Sequence, residues 1–251
     1  MSGHSKWATI KRKKGVADAK RGQVFTRLTR EIVMAAREGG GDIDSNFRLR
    51  LAVDKAKAQS MPKDNIERAI KRATGEGKDG EIYEEVSYEG YGPNGVALVI
   101  ECVTENRNRT VAELRHMLSR AGGNLGELGS VSWQFHRAAV FSFPKEGNDF
   151  DKIFELAVEG GADDVSQDDE EIEVEAPVES FKTLIDIFRT ANILPDEAGL
   201  KMIPNQEMEL GVEDTMQVLR TIENLEDMDD VQDVYSNLKI SDEAMAAMES
   251  E

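Results

Sequence analysis

Charge is divided along this 251-residue chain in a way that no single well-mixed domain would produce. Residues 1–80 hold 19 basic and 10 acidic side chains, net +9, whereas residues 81–251 hold 12 and 39, net −27. The overall −18 conceals this split. The imbalance is graded, with 5 basic and 8 acidic residues over 81–137 and 7 and 31 from 138 onward, so charge alone marks three regions. Single domains typically run about 100 to 150 residues, which also favours two or three small cores. One cysteine, Cys102, allows no internal disulfide and fits a reducing compartment. No apolar run nears the roughly 18 residues of a membrane span. The basic start has little Ser and no amphipathic period, unlike a transit peptide. The expectation is a cytoplasmic protein without a membrane partner.

The first thirty residues contain nine Lys or Arg and one acid, Asp18. Over 18–37, Phe25, Leu28, Ile32 and Ala35 follow the period of one helical face, and Gly39, Gly40 and Gly41 end it. A second helix starts from Ser45 or Asn46 and stripes Leu49, Ala52, Val53 and Ala56. A third opens at Pro62, buries Ile66, Ala69, Ile70 and Ala73, and stops at Gly75. This predicts a basic three-helix unit. An ordinary helical surface mixes signs, but Lys6, Lys11, Arg12, Lys13 and Lys14 come with no anion among them, which points to a polyanion. Lys20, Arg21 and Arg27 extend the candidate nucleic-acid-binding set. Trp7 either stacks on an unpaired base or anchors the segment to the helices. The 39–45 connection is longer than a helix-turn-helix turn, and no helix carries a base-reading mix of Asn, Gln, Ser and Arg. Binding is therefore expected to follow phosphates and shape, as with structured RNA or nonspecific DNA.

The middle region reads as strands over 82–88 and 96–104, a helix over 111–121 capped by Thr110 and Glu113, and a strand over 130–135. Gly90, Gly92 and Gly95 match G-x-G-x-x-G, but a strand follows where a dinucleotide site needs a helix, so they are turn glycines. Arg107 and Arg109 precede a helix N-terminus, a place where N–H groups and guanidinium forks hold phosphate. An ordinary capping loop with exposed arginines fits equally.

From 138 onward the pattern is a strand at 139–143, a helix at 150–159 with Ile153, Phe154 and Ala157 inward, and a hairpin at 164–174. A helix at 178–191, a strand at 200–203, a helix at 213–225, a strand at 231–235 and a frayed tail from 242 follow. The fold class is α+β: an N-terminal three-helix domain and two ferredoxin-like α+β domains, one inserted in the other. The expected boundaries are 1–80; 81–137 plus 210–240; an inserted acidic unit at 138–209; and a tail at 241–251. Asp163, Asp164, Asp168, Asp169, Glu170 and Glu171 lack EF-hand spacing and read as a solvated hairpin. Three scattered histidines, one cysteine and no nucleophile, P-loop or H-E-x-x-H motif point away from an enzyme, a cofactor or a metal.

GHSKW (3–7), DAKRG (18–22), AAREGGGD (35–42), MPKDNIERAI (61–70), YEGYGPNGVALVIE (88–101), NRNRT (106–110) and GGNLGELGSVSW (122–133) together resemble the YebC family. The resemblance covers nearly the whole chain and is densest over 1–135. It implies three domains, the last inserted in the second, and a regulator of gene expression. Bacterial members are described as probable transcriptional regulators that bind DNA. A mitochondrial relative is a translational activator for a cytochrome oxidase subunit, and bacterial relatives are linked to ribosomes stalled on proline-rich nascent chains. With no base-reading pattern in the head, ribosomal RNA is the favoured partner and DNA the alternative. A protein partner is expected at the acidic domains. A third reading makes the chain an adaptor whose basic head docks on an acidic protein.

Overall fold

The computed structural model describes residues 21–75 and 83–249. Helix α1 (Arg21–Gly39) buries Leu28, Ile32, Val33, Ala35 and Ala36 along one face. It packs on α2 (Phe47–Ala58) and α3 (Lys63–Ala73), which contribute Leu49, Val53, Ile66 and Ala69 to the same core. One buried side chain sets the first corner. Asn46 caps α2 by accepting the Leu49 N–H at 3.0 Å, and its amide donates to the carbonyls of Ala35 and Gly40, both at 2.7 Å. A Cβ on Gly39 would lie 2.7 Å from that amide nitrogen, so the turn requires glycine there. Pro62 stands one residue ahead of α3, not in its first turn.

The first sheet has the order β3-β1-β2-β9 and uses β1 (Glu84–Tyr91), β2 (Ala97–Thr104), β3 (Asn124–Leu125) and β9 (Val231–Ser236). Gly90 and Gly92 lie at the end of β1 and Gly95 in the turn to β2, pairing two antiparallel strands. Helices α4 (Arg107–Ala121) and α7 (Val212–Glu226) cover one face, where Leu98, Ile100 and Cys102 meet Leu114, Leu118, Val218, Leu219 and Ile222. Burial raises the Cys102 thiol pKa to about 12, which leaves it unreactive.

Between β3 and α7 runs a second sheet, order β5-β6-β4-β7, built from β4 (Phe135–Pro144), β5 (Asp164–Gln167), β6 (Glu171–Ala176) and β7 (Glu197–Pro204). Helices α5 (Phe150–Glu159) and α6 (Phe181–Thr190) pack on it around Phe141, Phe143 and Phe188, with ring centroids 4.9 Å apart for Phe143 and Phe188. Phe47 of α2 reaches this core, edge-on to Phe181 at 5.5 Å. Short strands β8 (Met208–Glu209) and β10 (Leu238–Lys239) pair in parallel.

Four local expectations are corrected. Helix α4 begins at Arg107 under an Asn106 cap, so Thr110 is not a capping residue. Residues 132–134 form a 3-10 turn, and the strand starts only at Phe135. Phe154 faces outward, 46% exposed. The tail forms helix α8 (Asp242–Glu249), with Ala244 buried in the core between the first sheet and its two helices.

Candidate nucleic-acid interface

Lys6, Trp7, Lys11, Arg12, Lys13, Lys14 and Lys20 lie outside the described residues, and Arg21 is the first residue of α1. Arg27, Arg107 and Arg109 are described, and each is engaged by the protein itself. The Arg27 guanidinium donates to the Glu226 carbonyl at 3.1 Å. One turn away on α1, Arg30 is 8% exposed, donates to the Asp229 carbonyl and pairs with Asp230 at 2.9 Å. With Gln23 on the Asp227 carbonyl at 3.1 Å, these contacts seat α1 on the carboxyl end of α7. Carbonyls there lack intrahelical partners and carry the negative end of the helix dipole, so cationic donors suit them.

Asp230 is the centre of this junction, 3% exposed. Its carboxylate accepts from Thr110 at 2.7 Å, Thr104 at 3.0 Å and Arg109 at 3.1 Å, besides the Arg30 pair. Burial works against the charge, but the Thr110, Arg109 and Thr104 hydrogen bonds and the Arg30 charge outweigh it and hold the carboxyl below its usual range. Arg109 also meets Glu105 at 3.4 Å, and Arg107 pairs with Glu84. The Arg107–Arg109 loop is thus a helix start whose arginines are answered by the chain's own carboxylates.

Most described cations of the helical region are likewise paired. Lys55 meets Glu31 at 3.3 Å, Lys57 meets Asp54 at 3.1 Å, Lys63 meets Glu67 at 3.4 Å, and Arg48 bridges Glu38 and Glu85. Cations also gather at the hollow between α1 and α3, lined by Thr29, Asn65, Arg68, Ala69, Lys71 and Arg72. Among the described residues, three cations and no acid line this hollow. Arg68 is oriented by its own helix, through the Asp64 carbonyl at 3.1 Å and the Asn65 side chain. Positions 68, 71 and 72 lie on the polar side of α3, away from Ile66, with Ala69 at its border. That spacing was readable in the sequence, but their selection depends on α1 forming the other wall. Phosphate oxygens suit such a hollow, since guanidinium and ammonium donors give charge-assisted hydrogen bonds.

Among the described residues, no group of three or more His, Cys, Asp or Glu is arranged to hold a metal ion, and no helix is long and apolar enough to cross a membrane.

The pattern described as "TACO1/YebC protein N-terminal domain" matches residues 5–76, and "TACO1/YebC second and third domain" matches residues 83–238. A "Probable transcriptional regulatory protein" of Geotalea uraniireducens is 52% identical over 248 residues, covering 99% of this chain and 100% of that protein. One of the same description from Chlorobaculum parvum is 50% identical over 252 residues, covering 100% of both. The crystal structure of a conserved hypothetical protein from Aquifex aeolicus superposes with a TM-score of 0.82 at 38% identity, covering 90% of this chain and 93% of that one.

Proposed function

The chain belongs to the TACO1/YebC family, and from that premise we propose a non-enzymatic regulator that grips a nucleic-acid backbone through its helical region. The observation that carries the reading is the charge division, net +9 over residues 1–80 against −27 beyond, in a chain whose described helices place Arg68, Lys71 and Arg72 on a hollow between α1 and α3. Lys6, Lys11, Arg12, Lys13, Lys14, Lys20 and Arg21 supply the leading cations, and Arg68, Lys71 and Arg72 continue the track. Arg27, Arg107 and Arg109, also in the candidate set, make contacts within the protein as well. The contacts are to phosphate rather than to base edges, which favours structured ribosomal RNA and a role in translation. The acidic domains hold the head in place and repel misplaced nucleic acid.

Crosslinking the protein to nucleic acid in its own cells and sequencing the product tests the target. Ribosomal RNA enrichment supports the translational reading. Recovery of discrete promoter DNA supports the second reading, transcriptional regulation, which the names of the relatives favour. Recovery of neither overturns both. With purified protein, about six phosphate contacts give a log–log salt slope of roughly −5 on duplex DNA, and charge reversal at Lys11 to Lys14 or at Arg68, Lys71 and Arg72 should flatten it.

A further inference from the structure

Leu128 is 86% exposed and Trp133 71% exposed, in a loop that the fold holds unusually firmly. The buried carboxylate of Glu89 accepts three backbone N–H groups from this loop, those of Gly129 at 2.8 Å, Val131 at 2.7 Å and Ser132 at 2.8 Å. Burial alone would raise its pKa, but these hydrogen bonds outweigh it and keep Glu89 ionised. A Cβ on Gly123 would fall 2.2 Å from the Tyr91 carbonyl, so the loop base is closed to side chains. The Trp133 indole N–H donates to the Ser130 carbonyl at 3.1 Å, which fixes the ring with its surface in water. Holding the Trp133 ring in solvent on a fixed loop backbone favours contact with a partner, because little of its rotamer entropy remains to be lost on binding.

What adjoins the tryptophan identifies the partner's chemistry. Asn205 donates to the Trp133 carbonyl at 3.2 Å and accepts at His136 Nδ1, 2.9 Å away. His136 Nε2 in turn meets Glu175 at 2.9 Å. Glu175, with Asp164, Glu173 and Glu207, lines a cleft whose described lining carries four carboxylates and no Lys or Arg. Phosphates are repelled there, and the carboxylates are not gathered for a metal ion. We infer that the 126–133 loop and this cleft form one docking surface for a Lys- or Arg-rich segment of another protein that carries an apolar anchor. The anchor lies against Trp133 and Leu128, while the cations enter the cleft. Aromatic anchors dominate interface energies and peripheral charges set the encounter rate. The surface is separate from the nucleic-acid hollow and does not depend on that reading.

The test uses the full chain with Trp7→Phe, which leaves Trp133 as the single tryptophan of the two. It is titrated with a short lysine–leucine peptide and with an oligolysine of equal charge. The inference expects the mixed peptide to shift Trp133 emission and to bind about tenfold tighter than oligolysine, roughly 1.4 kcal/mol. Followed by peptide anisotropy, Trp133→Ala and Leu128→Ser should each remove that margin, and Asp164→Asn with Glu207→Gln should weaken both peptides, while Glu243→Gln on α8 changes nothing. Equal binding of the two peptides, or indifference to Leu128→Ser in a normally melting protein, would overturn it. So would binding seen only after Lys11, Arg12, Lys13 and Lys14 are changed to Gln, since the chain's own basic segment would then be the occupant.

Discussion

Two groups of cations in this protein start from the same chemistry and end in opposite situations. Arg30 and Arg109 converge from α1 and α4 on the buried Asp230, whereas Arg68, Lys71 and Arg72 line a hollow with no acid among its described lining residues. A guanidinium near a helix end is therefore no sign of a ligand until its counter-charge has been located. At Asp230 the anion is built in, 120 residues or more from the donors at Thr110 and Arg109. In the hollow, by contrast, the described lining residues include no acid.

The sharpest way to break this contrast is to remove the built-in anion. Asp230→Ala strands two arginines and two hydroxyls, and should lower unfolding free energy in urea by about 3–5 kcal/mol, the usual cost of breaking a buried ion pair. The folded-state pKa of Asp230 is depressed, so its contribution is present above the unfolded value of about 3.9 and is lost as pH falls through the folded value. Asp230→Asn should therefore flatten the acid limb of the stability profile. Arg30→Met, removing one partner and its stacking over Tyr83, should cost about 2–3 kcal/mol, measured the same way. Arg109→Ala, at a more exposed partner, should cost about 1–2 kcal/mol. By contrast, Arg68→Glu and Lys71→Glu should each stay within about 0.5 kcal/mol of the parent while weakening nucleic-acid binding in a gel-shift assay. A large stability loss there would erase the distinction between the two groups.

The smallest expected effect is at His136. Its hydrogen bond to Glu175 raises its pKa, with burial opposing and Asn205 assisting. A raised folded pKa gives stability that is complete below the unfolded value, about 6.5, and is lost as pH rises through the folded value. The pair is half-exposed, so His136→Gln should shift the thermal midpoint only slightly at pH 5.5, less at pH 8, and less again in high salt.

Helices were the most legible elements because period 3.6 is a local property, and the stripes Leu28–Ile32–Ala35 and Ile66–Ala69 are buried as that period requires. Strand reading failed where a distant group intervened. The alternation of Val131, Trp133 and Phe135 suggests a strand, but Glu89, some forty residues earlier, takes the N–H groups that a strand ladder would use. Thr110 was misread as a cap for a similar reason, since its hydroxyl serves Asp230. Within the candidate interface, the basic face of α3 was visible in principle, but nothing local says which wall α1 provides or which arginines already have partners. Long-range carboxylates, invisible to a window of neighbouring residues, account for most of these differences.

The pairing of β9 with β2 also sets an order of events during synthesis. The second sheet, complete by Pro204, can close while β2 still lacks the neighbour on one edge. Strand β2, buried along nearly its whole length, must wait for residues 231–236 to be made. Contacts of such long sequence separation slow folding and leave apolar edges open to wrong pairing. A nascent chain of this protein thus finishes its second sheet before its first, and the apolar strand β2 stays vulnerable until residues 231–236 are made.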